Sequence, residues 1–255
     1  MGAPSTQLPP DATSERSDAP AVAADDSRSR TSRWRRRGFW LGTVAIAVGM
    51  SLLAYVAWQF WGTTWVSDRH REQALGQIHA DWRSTHTAQV KTRFGSASAI
   101  VEIPRFGRHY QVPVLEGTDS GVLAVGYGHF PGAAGPGQVG NYALAAHRVT
   151  HGEPLRNMPE LRVGDLVRII TRTRTYDYRL VTGGDDLVVP LTARWVTTPL
   201  PHNPAGGVQP PQAPGQRLIT LTTCAELFHT DNRLIAFGVL ERSVPHREPG
   251  VAPTS

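Results

Sequence analysis

Residues 38–61 form an uninterrupted run without a charged side chain, GFWLGTVAIAVGMSLLAYVAWQFW. As an α-helix this segment extends about 36 Å, enough to cross the roughly 30 Å hydrocarbon core of a bilayer with some tilt. Trp40 lies near one end of the run, and Trp58 and Trp61 lie near the other, as in an aromatic belt. A cleaved signal peptide has a shorter apolar region of about 7–15 residues, followed by a small-residue cleavage site that is not seen here. The sequence therefore predicts an uncleaved transmembrane anchor over 38–61.

The charges on either side of the anchor predict its orientation. Six arginines lie upstream within residues 28–37, whereas the charges of 68–72 just downstream cancel. The positive-inside rule then places the N-terminal tail, residues 1–37, in the cytoplasm and everything after the anchor outside the cell membrane. The arginine cluster also accounts for the formal net charge of +5, so no nucleic-acid partner is indicated. The tail is rich in Ala, Ser, Asp and Pro and is predicted to be disordered.

The extracellular part has the pattern of a β domain. Residues 62–96 are polar and mixed and are interpreted as a spacer, and 242–255 as a polar tail. Between them, residues 97–241 contain short apolar runs separated by Gly and Pro turns: SAIVEIP, YQVPVL, NYALAAH, DLVRIIT, TYDYRLVT, RLITLTT and RLIAFGVL. Such runs are typical of strands buried in a barrel or sandwich. A short helix is expected over 153–161, between Pro154 and the Gly164 turn. The prediction is an all-β domain of seven or eight strands with a small helical insertion.

Cys224 is the only cysteine of the chain, so it cannot form an intramolecular disulfide. It ends the run RLITLTT, and nine residues later Arg233 opens the run LIAFG. If the two strands pair antiparallel, Cys224 and Arg233 lie at the same rim. A guanidinium there can stabilise a thiolate and also the oxyanion that forms when the thiolate attacks a carbonyl. No ligand cluster for a metal is seen in the sequence.

A cysteine nucleophile needs a base, which in enzymes is usually a histidine. The chain has ten histidines. His147 follows the apolar run NYALAA at a predicted strand end. His129 lies in a Gly/Pro-rich loop, and His151 and His229 lie in polar segments. Spacing alone does not choose among them.

Several motifs together resemble the sortase family of cysteine transpeptidases, found in Gram-positive cell envelopes. They are TLTTC at 220–224 with Arg233 after it, and the N-x-x-x-A-x-H-R pattern at 141–148. The stretch GHFPGAAGPGQVGNYALAAHR at 128–148 is similar to class D and class E sortases, as are IPRFG at 103–107 and H-G-x-P-L at 151–155. The resemblance implies an eight-stranded sortase-type β-barrel.

The resemblance also implies a reaction and its residues. Cys224 would attack the Thr–Gly bond in the C-terminal sorting signal of a secreted protein, and a thioacyl-enzyme would form. His147 would protonate the leaving amine, and Arg233 would stabilise the oxyanion. An amine of a peptidoglycan precursor would then accept the protein. No cofactor is implied.

Class E is favoured over class D because of Tyr142, which resembles the class E arrangement. Class E sortases prefer an LAxTG signal over LPxTG, and Tyr142 is therefore a candidate for signal selection. Thr222, Thr223 and Trp195 are further candidates for the substrate groove. Trp195 is interpreted either as a lid over the groove or as a packed aromatic residue.

Two other functional classes remain open at this stage. An extracellular cysteine hydrolase would share the nucleophile and base but would release its product to water. A non-catalytic β-barrel binding module would leave the lone extracellular thiol without a role.

Overall fold

The computed structural model describes residues 26–58, 62–84, 87–224 and 231–246. The N-terminal tail up to residue 25, Trp61, His229 and the end of the polar tail from residue 247 lie outside the described residues. The chain divides into two units, residues 1–53 and 54–255.

Helix α1 covers Asp26–Ala57 and contains the predicted anchor sequence. Within it, Phe39–Ala57 is a stretch of 19 residues with a mean hydropathy of 1.9, and none of its apolar side chains is buried in the protein. This stretch is long and apolar enough to cross a membrane. The helix begins upstream of the anchor, so part of the segment predicted to be disordered is helical.

The rest of the described chain contains two helices, ten strands and three short 3-10 helices. The helices are α2, Thr63–Ser84, and α3, Ser120–Leu123. The strands are β1 Val90–Thr92, β2 Gly95–Glu102, β3 Val112–Glu116, β4 Tyr127–His129, β5 Gly140–Ala145, β6 Leu166–Ile170, β7 Arg174–Leu180, β8 Leu187–Pro190, β9 Arg217–Cys224 and β10 Asn232–Pro245. The 3-10 helices are Pro104–Phe106, Met158–Glu160 and Arg194–Thr197.

Eight of the strands close into a barrel in the order β2-β3-β4-β5-β9-β10-β7-β6, with β6 pairing back onto β2. The pairs β3–β4 and β5–β9 are parallel, and the other pairs are antiparallel. Strands β1 and β8 add to β2 and β10 outside this ring. Closure leaves the barrel strands without free edges. The predicted eight-stranded barrel is confirmed.

The seven apolar runs of the sequence correspond to β2, β3, β5, β6, β7, β9 and β10. Their inward side chains fill the barrel with aliphatic residues and the rings of Tyr142 and Tyr178, and β4 adds the ring of Tyr127. Because side chains alternate along a strand, only every second residue of β5 points into this core, namely Tyr142, Leu144 and, just beyond the strand, Ala146.

Helix α2 covers one side of the barrel, within the segment that the sequence indicated as a spacer. Its Ala74, Ile78 and Trp82 follow at intervals of four residues and form one apolar face. That face is buried against Val90 of β1 and Leu115 of β3. Full burial of a side chain such as Ile78 contributes about 1.5–3 kcal/mol. The packing therefore attaches α2 to the barrel.

The structure corrects the prediction of a helix over 153–161. The structure has turns from 151 to 157 and only the 3-10 helix Met158–Glu160. Pro159 lacks an N–H and would break the hydrogen-bond ladder of an α-helix at its centre. His151 and Glu153 have left-handed backbone angles, which also exclude a regular helix start at Pro154.

Candidate active site

Three strands bring the predicted catalytic positions to one end of the sheet. β9 pairs antiparallel with β10, and in that register Cys224 is opposite Arg233. β5 runs parallel to β9 up to the pair Ala145–Thr222, and the N–H of Ala146 donates to the carbonyl oxygen of Thr222 (3.1 Å). His147 follows directly, so its backbone lies beside the end of β9.

Thr223 ties this end of the sheet together. Its hydroxyl is buried and donates to the carbonyl oxygen of Ala146 (2.7 Å), one residue before His147. This bond links the residue before the thiol position to the residue before the imidazole. The TTC part of the motif therefore holds the two chain segments that carry Cys224 and His147.

A cleft of about 320 Å³ opens at the same end. His147, Arg233, Thr222 and Thr223 line its floor. Its walls are mainly apolar and include Leu123, Phe130, Ala145, Val189, Leu191, Val196 and Ile235, with Thr118 and Arg194 among the polar exceptions. A cleft with apolar walls and a few polar groups at its base suits an extended peptide that carries small or aliphatic side chains.

The imidazole of His147 is half-buried and stacks on the ring of His151, with centroids 5.0 Å apart and planes inclined by 27°. Burial, followed by the nearby charges of His151 and Arg233, lowers the pKa of His147 to about 4. His147 is therefore neutral at physiological pH and able to accept a proton.

Arg233 supplies a permanent positive charge beside the cleft floor. Its guanidinium is half-buried, and Nη1 donates to the carbonyl oxygen of Asn232 (2.9 Å). This bond anchors the side chain near the strand end that pairs with Cys224. A cation fixed at this position can stabilise negative charge on sulfur or on a carbonyl oxygen.

The other histidines are placed differently. His129 is buried, and its Nδ1 and Nε2 face the Glu116 carboxylate (2.8 Å) and the Ala134 carbonyl (3.1 Å). Both ring nitrogens thus face acceptors and neither is available to take a proton from a thiol. The hydrogen bond from His129 lowers the pKa of Glu116. His129 holds the loop that follows β4.

Tyr142 and Trp195 lie away from the cleft lining. Tyr142 is 1% exposed in the barrel core, where its ring lies 4.9 Å from that of His129. It belongs to the inward set of β5 residues and is not among the residues that line the cleft. Trp195 is half-buried and packs near Phe237, with ring centroids 6.1 Å apart. Its neighbours Arg194 and Val196 line the cleft.

Two functional residues were not singled out from the sequence, Asn141 and Thr220, although both lie in the motifs. The Asn141 side chain is fully buried and donates to the carbonyl oxygens of Val196 and Thr198 (both 3.1 Å). Thr220 donates to the Asn141 amide oxygen (2.8 Å). These bonds attach the 3-10 helix Arg194–Thr197, which lines the cleft, to β5 and β9.

Replacing Asn141 by Ala should lower the free energy of unfolding by about 2–3 kcal/mol, because buried carbonyl oxygens lose their donor. The measurement is urea denaturation of the detergent-solubilised chain. Asn157 is a matched control, since its side chain makes no capping bond at the 3-10 helix that follows. Asn157→Ala should change stability by less than about 0.5 kcal/mol. Equal effects of the two substitutions would contradict this account of Asn141.

No group of His, Cys, Asp and Glu suited to a metal ion occurs among the residues that the structure describes.

Comparison with known proteins identifies the family. The sortase domain family matches residues 101–241, more than half of the chain. The chain belongs to the sortase family. It is 29% identical to sortase SrtE1 of Streptomyces coelicolor over 215 residues, which are 80% of this chain and 57% of SrtE1. This sortase therefore spans just over half the length of that relative.

Two further comparisons concern the subclass. The structure of sortase E from Streptomyces avermitilis is 35% identical with a TM-score of 0.51, covering 61% of this chain and 93% of that chain. Sortase D of Bacillus subtilis is 31% identical over 110 residues, 43% of this chain and 53% of its own length. The resemblance of this sortase to class E, with class D next, is confirmed.

Proposed function

We propose that this sortase is a cysteine transpeptidase that cleaves the Thr–Gly bond of a C-terminal sorting signal and transfers the protein to an amine of a cell-wall precursor. The observation that supports it most is the arrangement at the ends of β5, β9 and β10. The positions of the only thiol, one neutral imidazole and one fixed guanidinium meet there beside a peptide-sized cleft.

In this mechanism the thiolate of Cys224 attacks the Thr carbonyl carbon, and Arg233 stabilises the oxyanion. The C–N bond breaks as His147 gives its proton to the leaving Gly amine, which yields a thioester on Cys224. An acceptor amine then attacks the thioester. His147 takes the proton of that amine, the new amide bond forms, and the thiolate leaves.

We propose LAxTG as the preferred signal, on the basis of the similarity to class E sortases. The apolar walls of the cleft, such as Leu123, Val189 and Ile235, suit the aliphatic first residue of the signal. Tyr142 does not support this preference by direct contact, because it is buried in the core. Comparing kcat/KM for LAxTG and LPxTG peptides tests the choice, and a higher value for LPxTG would contradict it.

We propose that α1 anchors the protein with its N-terminus in the cytoplasm and the barrel outside. The apolar stretch Phe39–Ala57 and the arginine cluster before it support this topology. The single cysteine offers a direct test. A membrane-impermeant maleimide should label Cys224 in intact cells, and the Cys224→Ala chain is the control. Labelling only after cell lysis would place the thiol inside and contradict the topology.

The alternative of a cysteine hydrolase differs in the fate of the acyl-enzyme. A transpeptidase should give an amide product when an amine acceptor such as a glycine peptide or diaminopimelate is present, at the expense of free acid. A hydrolase gives only the acid under both conditions. Product analysis by mass spectrometry separates the two.

The low pKa of His147 has a consequence for the pH dependence. A free thiol titrates near 8.5, so between about 4 and 8.5 the resting pair is thiol and neutral imidazole. The productive thiolate–imidazolium pair is then a minor species, on the order of 10⁻⁴ to 10⁻⁵ of the enzyme. Turnover is expected to be slow for this reason.

The expected profile of kcat/KM against pH is a broad bell with its acid limb near 4. Below the pKa of His147 the thiolate is lost, and above the pKa of the thiol the imidazole has no proton to give. The alkaline limb should coincide with the pH dependence of iodoacetamide alkylation at Cys224. An apparent thiol pKa below about 6 would show a preformed ion pair and contradict this account.

A further inference from the structure

The turn after His147 has an uncommon backbone. Residues 151, 152 and 153 all have left-handed φ values, +57° for His151, +73° for Gly152 and +45° for Glu153. Two of the three are not glycine, and residues other than glycine rarely adopt a positive φ. Such a turn persists only where its surroundings hold it in place.

Helix α2 provides one of the contacts that hold this turn. Nη2 of Arg71 donates to the carbonyl oxygen of Gly152 (2.9 Å), across 81 residues of sequence. Nη1 of Arg71 is held by the Asp68 carboxylate (3.2 Å), and the Arg71 side chain is only 16% exposed. A Cβ at position 152 would collide with the guanidinium, so the glycine allows this close approach.

The same turn supports His147 directly. The ring of His151 stacks on the ring of His147 at 5.0 Å, and the N–H of Leu155 donates to the carbonyl oxygen of His147 (3.0 Å). On the far side of the turn, the Tyr110 hydroxyl donates to the carbonyl oxygen of Pro154 (2.7 Å). A continuous series of contacts therefore leads from Arg71 on α2 through the turn to the imidazole of His147.

We propose that Arg71 is a positioning residue of this sortase, which holds the His151–Gly152–Glu153 turn and thereby keeps the His147 ring in its stacked place. This inference rests on the proposed function, in which His147 moves the proton. Arg71 acts through Gly152 and His151 and is not among the residues that line the cleft. Its loss should therefore impair proton transfer more than substrate binding.

The test compares three variants of the full chain in detergent micelles. Arg71→Met removes the hydrogen-bond donors but keeps an unbranched apolar side chain. Arg71→Lys keeps the positive charge but has one nitrogen in place of the two that bond Gly152 and Asp68. Arg69→Met is the matched control, because Arg69 lies on the same helix, is exposed and stacks on Trp65. Arg71→Met should lower kcat about tenfold and change KM less than twofold. Arg71→Lys should recover part of the loss, and Arg69→Met should match the wild type.

A second measurement separates positioning from a general structural role. Histidine-selective NMR reports the pKa of His147, which burial and then the charges of His151 and Arg233 lower. Release of the turn by Arg71→Met should raise that pKa towards its ordinary value. A lower kcat in this variant then reflects a misplaced imidazole, because the higher pKa by itself enlarges the thiolate–imidazolium fraction. His151→Phe keeps a stacked ring without its charge. It should also raise the pKa of His147, and because a higher pKa enlarges the thiolate–imidazolium fraction, it should not lower kcat. The alkylation rate of Cys224 should not change in any of these variants.

The outcomes are distinguishable. If Arg71→Met matches Arg69→Met in kcat and in the pKa of His147, the proposal is overturned. It is also overturned if Arg71→Met changes Cys224 alkylation and KM together, since that indicates general loss of structure, or if Arg71→Lys is as impaired as Arg71→Met. If the wild type transfers no peptide, the proposed function fails. The pKa of His147 in Arg71→Met then decides the positioning role alone.

Discussion

Replacing Cys224 by Ala should lower the rate of amine transfer at least about 10⁴-fold, because the chain has no second thiol that could form the acyl-enzyme. The barrel should remain folded, since β9 is held by its pairing with β5 and β10 rather than by this last residue. The measurement is the rate of product formation from a sorting-signal peptide and an amine, together with the thermal unfolding midpoint.

Cys224→Ser is the matched variant for this experiment. It has nearly the same size, but its hydroxyl cannot form a comparable nucleophile at neutral pH. We expect it to be as inactive as the alanine variant. Turnover by either variant at more than a few per cent of the wild-type rate would show that the chemistry does not depend on the thiol.

His147→Gln should lower kcat/KM by about 10³-fold, within the range seen when a general acid–base group is removed. Glutamine keeps a polar group of similar reach but cannot carry the proton between the leaving and the attacking amine. The alkylation of Cys224 by iodoacetamide should remain close to the wild-type rate, because His147 is neutral in the resting enzyme.

His129 is the matched control for His147, since spacing alone left both open as the base. His129→Gln should weaken the fold, because the buried bonds to Glu116 and Ala134 are changed. Per folded molecule, its kcat/KM should stay within about threefold of the wild type. A loss as large as that of His147→Gln would return His129 to the list of candidate bases.

Much of the barrel could be predicted because its long strands are apolar on one or both faces. The strands that the sequence did not indicate are β1, β4 and β8, which have three or four residues each. Such short runs are below the length at which a period of two can be recognised. β4 also contains Gly128, whose backbone lies against Gly117 and Leu123, and a glycine in a strand weakens the β pattern.

The sequence indicated which residues form the site, but not the direction in which each side chain points. The motifs placed Cys224, His147 and Arg233 at strand ends, and the register of β9 with β10 brings two of them opposite each other. The inward direction of Tyr142 depends on which residues of β5 face the core, and that is set by the partner strands. The contact from Arg71 to Gly152 joins positions 81 residues apart, which no local pattern indicates.

The sequence did not indicate that α2 packs on the barrel, because this packing also depends on contacts between distant segments. Ala74, Ile78 and Trp82 are three of the seven apolar residues of a mainly polar helix, so the buried face is not distinct in the sequence. Their burial follows from the surface that β1 and β3 present. Tertiary contacts therefore decide the role of this segment.

The most direct test of the proposed mechanism is the intact mass of the enzyme during turnover. Incubation with an excess of sorting-signal peptide and no amine should produce a protein heavier by the acyl fragment that ends at Thr, with the added mass on the peptide that contains Cys224. Addition of an amine should return the enzyme to its original mass while the amide product appears. The Cys224→Ala chain should show no added mass. Steady product formation without any such adduct on Cys224, or an adduct on another residue, would contradict a thioacyl-enzyme mechanism.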